Sequence, residues 1–355
     1  MRALRVLVLM HESLVPPESM DGYSETEIAE WKTEFDVVTV LRGMGHEVRP
    51  LGVYGDLMVI RQAIDEWKPH ITFNLLEEFH GISFYDQHVV SYLELLRQPF
   101  TGCNPRGLTL TRDKALSKKI LAYHRIRVPR FAVFPRARKI RAPTRLRYPL
   151  FVKSLAEEGS YGISQASIVR SPEKLVERVE FLHEKKETHA IAEEYIDGRE
   201  MYVAVIGNER VTALPVIELV FKNKDDDTPT IATRKAKWDW KYQKKHGVDT
   251  IPVKDLPPAV EKRMARIARR VYRTLHLSGY ARVDLRMTAD HELFVLEANP
   301  NPDISYGAEF SCAAEEAGIE YPALLQKIIN LGLRYSRQWR ENAARGSGAG
   351  TAAGP

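Results

Sequence analysis

Strand-like and helix-like segments alternate through the first hundred residues, and this alternation constrains the fold more than any other feature. Short apolar runs predict buried strands and the longer segments between them predict helices, in the order 4–10, 25–44, 46–53, 56–67 and 70–76. Such alternation is typical of a parallel sheet with helical crossovers. We therefore predict a small N-terminal α/β domain that ends near residue 107.

The remaining chain predicts two further lobes and a tail. One helix is predicted over 109–126, then a β-rich stretch, then an amphipathic helix that begins with Ser171 and Pro172. A strand–turn–strand unit follows around Asp197, and a polar segment over 221–250 predicts a long loop. The final residues are rich in Gly and Ala, which predicts disorder. The expected divisions are 1–107, 108–188, 189–338 and a disordered tail over 339–355.

Charge, cysteines and hydropathy limit the class of protein. The net charge of +5 and pI near 9.0 are mild for 355 residues and do not favour nucleic-acid binding. No apolar run approaches the length of a membrane span, and the apolar start lacks a signal-peptide cleavage pattern. Cys103 and Cys312 have no partners at metal-ligand spacing, so we expect free thiols. These features predict a cytoplasmic protein without membrane or nucleic-acid partners.

A hairpin near the C-terminus carries oxygen-bearing side chains on one face. In "RVDLRMTADHELFVLEANPNPDIS", which runs over 282–305, apolar and polar residues alternate on two strands around the loop "ADHE". A register in which Thr288 pairs with Leu293 places Asp284 opposite Glu297. The Cβ atoms of such facing residues are roughly 5 Å apart. The sequence therefore predicts two adjacent carboxylates.

Two carboxylates this close would repel unless a cation lies between them. The same register places Arg282 opposite Asn299, which adds an amide oxygen to the carboxylates. This set of hard oxygen ligands suits Mg²⁺ or Mn²⁺ and leaves coordination positions open for phosphate. Incidental charges on an exposed hairpin and the carboxylate pair of a glycosidase remain as alternatives.

A phosphate site is suggested by a second segment. The chain has neither the P-loop nor the Rossmann fingerprint. The segment "FVKSLAEEGSYGIS" instead places Lys153 on a strand ahead of a loop with Gly159, Ser160 and Gly162, whose backbone amides could approach phosphate. An ordinary hairpin turn is the alternative for this loop. Lys114, on the preceding helix, is a further candidate cation.

In this order and spacing, four motifs resemble those of the ATP-grasp ligases, and within them the D-alanine–D-alanine ligase family. They are "TRDKALSKKIL", "YPLFVKSLAEEGSYGIS", "AEEYIDGREMYVAVIGN" and "GYARVDLRMTADHELFVLEANPNPDIS". The resemblance covers roughly residues 70–325. It implies an ATP-grasp fold of the α/β and α+β classes, with ATP held between two α+β lobes and a Rossmann-like pre-ATP-grasp domain at the N-terminus.

The resemblance implies a nucleotide site at positions that match the family's motifs. The lysines and the glycine loop would meet phosphates, the strand end would line the adenine pocket, and Glu200 would hold the ribose. Ser160 in the loop is also a candidate catalytic residue, and Lys237 would lie near the γ-phosphate. The implied nucleotide-binding residues are Lys114, Lys153, Gly159, Ser160, Glu193, Tyr195, Ile196, Glu200 and Lys237.

The resemblance also implies a reacting centre. Asp284, Glu297 and Asn299 match the ligands of two Mg²⁺ ions, and Arg282 matches the arginine that steadies the substrate carboxylate and the developing oxyanion. Glu12, after the first strand, is the candidate for the substrate-binding glutamate. In the implied reaction, ATP phosphorylates a small carboxylate substrate, and an amine then attacks the acyl phosphate to form an amide. The family also suggests a homodimer.

Several departures from the family fall on substrate contacts. Gly159 stands in place of the first serine of the family's Ser-Ser pair, Trp238 in place of tyrosine, Asp303 in place of glycine, and Ala308 in place of serine. Loss of hydroxyls that hydrogen-bond a small substrate weakens selection of that substrate. We therefore expect a ligase with an altered amino-acid or small-carboxylate substrate. The alternatives are a non-catalytic ATP-binding regulatory protein and a carboxylate-pair hydrolase.

Overall fold

The computed structural model describes residues 3–156, 162–223, 231, 233 and 240–348. The strands are β1 (Arg5–His11), β2 (Glu47–Val53), β3 (Ile71–Asn74), β4 (Phe131–Phe134), β5 (Leu150–Ser154), β6 (Ile168–Val169), β7 (Ala190–Glu194), β8 (Arg199–Ile206), β9 (Thr212–Phe221), β10 (Val248–Pro252), β11 (Tyr280–Met287) and β12 (Leu293–Pro300). The helices are α1 (Glu25–Gly43), α2 (Leu57–Trp67), α3 (Asp86–Leu95), α4 (Pro105–Arg112), α5 (Lys114–Tyr123), α6 (Pro172–Lys185), α7 (Trp240–His246), α8 (Pro258–Thr274), α9 (Glu309–Glu316) and α10 (Tyr321–Gly348).

The N-terminal strands form a parallel sheet in the order β2-β1-β3, as the alternation predicted. Helix α1 begins at a capping box, in which the Ser24 hydroxyl accepts from the Glu27 amide while the Glu27 carboxylate accepts from the Ser24 amide. Asp56 caps α2. These local signals explain why the first domain follows the sequence pattern closely.

Four antiparallel strands form the central sheet in the order β4-β7-β5-β6. Helix α6 covers it, with Leu175, Val179 and Leu182 in the same apolar cluster as the strands. Since β7 pairs with both β4 and β5, this sheet continues to Glu194, beyond the division expected after residue 188. Strand β7 therefore belongs to the central lobe. The local sequence does not reveal this, because it depends on backbone pairing with β4 and β5.

The C-terminal sheet is antiparallel in the order β10-β9-β8-β11-β12. Its residues alternate between two apolar layers, as the period-two geometry of a strand requires. Met201 and Val203 have neighbours in the cluster that contains α8, whereas Tyr202 and Ala204 belong to the cluster that contains α9 and α10. That second cluster also includes strands of the N-terminal sheet. The C-terminal sheet therefore lies between two apolar layers. Helix α10 packs against α9 and also against α1 and β3 of the N-terminal domain.

Three local expectations differ from the structure. The single helix expected over 109–126 is two helices, because Asp113 adopts an extended conformation and caps α5 through the amides of Ala115 and Leu116. The expected loop over 221–250 contains α7 and β10 in its described part. Helix α10 continues to Gly348, into the stretch where the tail was expected to begin, and residues 349–355 lie outside the described part.

Both cysteines are free, with Cys103 buried and Cys312 half-buried. Among the helices within the described ranges, we find none with the length and apolar character needed to cross a bilayer.

Candidate active site

The hairpin β11–β12 brings the predicted metal ligands into register. Asp284 lies opposite Glu297 and Arg282 lies opposite Asn299. The predicted pairing of Thr288 with Leu293 is wrong, because Met287 occupies that position. The two strands return to the expected register through a β-bulge, which leaves Leu296 unpaired between the pairs on either side. The hairpin loop is therefore one residue longer than expected at its base.

Asp284 is buried and is held by two neighbours on the same face. The Arg282 guanidinium donates to both of its carboxylate oxygens, from Nε to Oδ1 at 2.7 Å and from Nη2 to Oδ2 at 3.0 Å. The Asn299 amide nitrogen donates to Oδ2 at 3.0 Å. These bonds fix the carboxylate in one orientation.

Arg282 is the fixed positive charge of the hairpin. Burial by itself would lower its pKa, but Asp284 and Glu309 outweigh this and raise it, so the guanidinium stays charged. Its Nη1 lies 3.5 Å from the Glu309 carboxylate, and its plane lies over the Tyr202 ring at 4.7 Å from the centroid. The side chain is therefore rigidly placed at the wall of the cleft.

Lysines from two elements of the central lobe meet carboxylates beside the hairpin. Lys153 on β5 lies 3.4 Å from Glu193 and 3.5 Å from Glu297, so its ion pairs join the central sheet to the C-terminal sheet. Lys118 on α5 lies 3.2 Å from Glu193 and donates to the Leu296 carbonyl at 2.5 Å. The carbonyl of the bulged residue Leu296 thus accepts a hydrogen bond from Lys118.

The pKa values of the two lysines shift in opposite directions, although both lysines pair with Glu193. Burial lowers the pKa of Lys118 to about 8, although Glu193 opposes this effect. Burial would also lower the pKa of Lys153, but Glu193 and Glu297 together outweigh burial and raise it. Lys153 has two carboxylate partners whereas Lys118 has one and is repelled by Lys153, which explains the difference. Lys153 therefore stays charged to higher pH than Lys118.

Lys118 was not among the predicted site residues, whereas Lys114, one turn earlier on the same helix, was. Both lysines are buried, and the Lys114 amide donates to the Leu155 carbonyl at 3.3 Å. Their spacing of four residues puts them on one face of α5, and this spacing is the signal that could have identified Lys118.

The predicted adenine and ribose residues lie at the turn between β7 and β8. Tyr195 follows the last residue of β7, and its amide donates to the Pro149 carbonyl at 3.0 Å. Ile196 is half-buried in the same turn. Glu200 at the start of β8 is buried, lies 3.3 Å from the Arg286 guanidinium and accepts from the Tyr202 hydroxyl at 3.0 Å. Glu200 is thus charge-compensated in the structure.

Of the remaining predicted positions, the structure describes only Glu12. Gly159, Ser160 and Lys237 lie outside the described residues. Glu12 lies in an exposed 3₁₀ turn after β1 and lines neither of the cavities beside the hairpin. Acidic residues of α1 occupy that side of the cleft, and the sequence analysis did not single them out.

Two neighbouring cavities beside the hairpin share several lining residues. The larger, of about 460 Å³, is lined by Arg282, Glu297 and Asn299 at one end. The smaller, of about 330 Å³, lies against α1, and Glu77 and Asp303 line both. A small carboxylate placed in the larger cavity would therefore lie between the hairpin and the acidic wall.

The donors on the hairpin fit a hard divalent cation. Among the described residues, no group of three or more His, Cys, Asp or Glu side chains is arranged to hold a metal ion. Two carboxylates and one amide form a smaller set, which Mg²⁺ accepts when substrate phosphate and water supply the remaining oxygens. Asp284, Glu297 and Asn299 are such a set, and Glu297 is turned toward the larger cavity.

The chain is similar in sequence to known proteins. A family model described as the C-terminus of D-ala D-ala ligases matches residues 120–330. An uncharacterised protein of Sinorhizobium fredii is 32% identical over 74% of this chain and 75% of its own length. A D-alanine–D-alanine ligase of Desulforudis audaxviator is 31% identical over 88% of this chain and 96% of its own length.

A solved structure shows the same fold. The D-alanine–D-alanine ligase of Bacillus anthracis, in complex with ATP, superposes with a TM-score of 0.72 at 23% identity, over 95% of this chain and 99% of that one. At this identity the likeness shows the fold alone. It confirms the expected α/β architecture with an ATP-grasp core.

Proposed function

The chain belongs to the D-alanine–D-alanine ligase family of ATP-grasp enzymes, which form carbon–nitrogen bonds, and we propose that it joins an amino acid or small carboxylate other than D-alanine to an amine. The observation that supports this proposal most directly is the contact across the two sheets. Lys153 of the central lobe lies 3.5 Å from Glu297 of the hairpin, beside the fixed pair Arg282–Asp284. A cation suited to phosphate thus contacts one of the candidate oxygen ligands for a metal.

Different residues of the chain would bind phosphate, hold the metal and orient its ligand during phosphoryl transfer. Lys153, which stays charged, is placed to neutralise phosphate oxygens of ATP, with Lys118 beside it. Asp284, Glu297 and Asn299 would hold Mg²⁺, which when bound neutralises charge on the transferring phosphoryl group. Arg282 orients Asp284 through two hydrogen bonds. The substrate carboxylate oxygen bonds to the γ-phosphorus and ADP leaves.

The second step needs no side-chain nucleophile. The nitrogen of the amine substrate attacks the carbonyl carbon of the acyl phosphate, and inorganic phosphate leaves with the electron pair of the carbon–oxygen bond. The oxyanion that develops on the carbonyl would be stabilised by the buried Arg282 guanidinium, whose position is fixed by Asp284 and Glu309. The protein supplies orientation and charge rather than a covalent intermediate.

The departures from the family support a changed substrate. Asp303 accepts hydrogen bonds from the Thr33 hydroxyl at 2.9 Å and from the Ser305 amide at 2.8 Å, and it lines both cavities. It therefore adds a negative charge to the substrate side of the cleft, where the resemblance leads us to expect glycine. The residue types that the resemblance implies for ATP and metal are thus present in the sequence, whereas those implied for the substrate differ.

The test is release of ADP and phosphate from ATP with Mg²⁺, across a panel of amino acids and carboxylates offered with amine acceptors. We expect at least one pair to stimulate ADP release and to give a stoichiometric amide. Glu297→Gln should lower kcat at least about 100-fold, because it removes a metal-binding charge. Glu209→Gln, the same change at an exposed position, is the control. Nucleotide binding without turnover for every pair would instead favour the regulatory alternative.

A further inference from the structure

The smaller cavity has an acidic wall that the proposed reaction does not use. Helix α1 and the loop after β12 approach each other here, and the Thr33 hydroxyl joins them by its hydrogen bond to Asp303. Five carboxylates are among the lining residues, from three parts of the chain: Glu25, Glu30, Glu34, Glu77 and Asp303.

The cavity lining holds little positive charge to balance this wall. Lys32 is the one cationic side chain among the lining residues that the structure describes. Its ammonium is already ion-paired with Asp36 on the next turn of α1 and donates to the Tyr306 carbonyl at 3.1 Å. Its charge is therefore largely committed elsewhere, and the cavity keeps an excess of negative charge.

Glu34 is the carboxylate that points most clearly to a ligand. It is only 5% exposed, and no hydrogen bond or ion pair joins its carboxylate to another residue within the described ranges. Burial, with the nearby charges of Glu77 and Asp303, raises the pKa of Glu34 to about 8. Its own backbone is the one hydrogen-bond partner recorded for this buried carboxylate within the described ranges, so a bound cation would stabilise its charged form.

Glu34 differs from Glu77 and Asp303 in the cavities that it lines. Glu77 and Asp303 line both cavities, whereas Glu34 lines only the smaller one. Under the proposed function, the carboxylate to be phosphorylated lies near Glu297 and Arg282 in the larger cavity. An α-ammonium, one carbon away from that carboxylate, would reach the shared wall. A group that reaches Glu34 must extend further into the smaller cavity.

We propose that the smaller cavity binds an ammonium or guanidinium group on the side chain of the carboxylate substrate, so that the enzyme activates a basic amino acid. This inference rests on the proposed ligase function. The shared wall of Glu77 and Asp303 accommodates the α-ammonium, and Glu34 pairs with the second cation. Two positive charges on the ligand match a cavity with several carboxylates, whereas a neutral side chain would leave Glu34 unpaired.

The first test compares basic amino acids with neutral analogues of similar length. Lysine, ornithine and arginine, each as both enantiomers, are compared with norleucine and norvaline in ATP- and Mg²⁺-dependent ADP release. We expect at least one basic amino acid to exceed its neutral analogue in kcat/KM by 10-fold or more. Glu34→Gln should reduce this preference, the ratio of the two kcat/KM values, at least 10-fold. Glu66→Gln, an exposed carboxylate on α2, is the matched control.

The outcomes separate the two hypotheses. Equal use of norleucine and lysine, with amide formed, would overturn the basic-substrate proposal and leave the ligase function intact. If no carboxylate stimulates ADP release, the ligase function itself fails.

The second test measures binding without catalysis. Agmatine carries a guanidinium and an ammonium but no carboxylate, and it is titrated calorimetrically into the full-length protein without ATP. We expect binding that weakens at least 10-fold in Glu34→Gln and is unchanged in Glu66→Gln. Absence of agmatine binding, or equal affinity in wild type and Glu34→Gln, would contradict the proposal. The wild-type titration does not depend on the folding of any variant.

Discussion

Glu193 shows how single residues determine this site. Its side chain is 2% exposed and forms ion pairs with Lys118 of α5 and Lys153 of β5. Burial of three charges is costly, and their mutual attraction offsets this only while all three are present. The cluster is therefore sensitive to loss of one partner, and Lys118 is the residue that can be tested without removing the lysine that bridges to Glu297.

Replacement Lys118→Met should lower the free energy of unfolding by about 3 kcal/mol, because removing one partner of a buried ion pair commonly costs about 3–5 kcal/mol. Urea denaturation measures the change. Lys119→Met, on the next and exposed position of α5, should change stability by less than about 0.5 kcal/mol. Equal effects of the two substitutions would show that the buried contacts of Lys118 are not stabilising.

Glu34 leads to a prediction about stability and pH. Its pKa is raised from about 4.5 to about 8 on folding, so between these values the unfolded chain loses a proton that the folded protein retains. Its contribution to stability is therefore unchanged below about pH 4.5, falls as pH rises, and levels off above about pH 8.

Glu34→Gln does not titrate, so it should be more stable than wild type at pH 8 by at least about 1 kcal/mol, since one pKa unit corresponds to about 1.4 kcal/mol. The difference between the proteins should shrink steadily as pH falls toward 4.5. Urea denaturation over this pH range gives the comparison. A difference that is constant with pH would mean that Glu34 is ionised in the folded protein.

Among the elements, the β11–β12 hairpin combines two kinds of local information. Period-two alternation placed the oxygen ligands on one face, and the structure confirms that Asp284 faces Glu297. The extra residue at Leu296 was not visible, because a bulge changes no residue type in the pattern. Its carbonyl is nevertheless the one that accepts from Lys118.

Helix α10 packs tightly on the chain segment that follows the N-terminal helices. A Cβ added at Gly332 would lie 2.3 Å from the Phe100 carbonyl oxygen, so Gly332→Ala should destabilise the protein by about 1–3 kcal/mol through overpacking. A Cβ at Gly43, at the end of α1, has open space and should change stability by less than about 0.5 kcal/mol as Gly43→Ala. Chemical denaturation of both variants tests the contact. No loss of stability in Gly332→Ala would mean that α10 can shift away from Phe100.

For the whole molecule, the cleft lies where the central and C-terminal sheets meet, and Lys153 with Glu297 spans the gap. Under the proposed function, ADP with Mg²⁺ binds there and favours the folded state. A ligand at 100 times its Kd adds about 2.7 kcal/mol of stability. We therefore expect the Tm to rise by several degrees in calorimetric scans with ADP and Mg²⁺.

Adenosine at the same concentration provides the control for that measurement. It lacks the phosphates that the lysines are placed to contact, so it should shift the Tm much less. Equal shifts for adenosine and ADP would contradict the assignment of Lys153 and Lys118 to a phosphate site.

The sequence by itself determined the N-terminal sheet, the opposed pair Asp284 and Glu297, and the family. These depend on period-two or helical alternation and on short motifs, which are encoded by residues close together in the chain. The whole set of ATP and metal positions remains a prediction, since Gly159 and Lys237 lie outside the described residues.

Only the tertiary structure decided which lysines of α5 and β5 meet Glu193, and which acids line the substrate wall. Thr33 and Asp303 are joined by a hydrogen bond although 270 residues separate them in the chain. No local pattern records such a contact, because it depends on how α1 and the loop after β12 pack across the C-terminal sheet. Glu12 is exposed and Glu34 is buried for the same reason. The packing of the elements, rather than residue type or position after a strand, decides which carboxylate is removed from solvent.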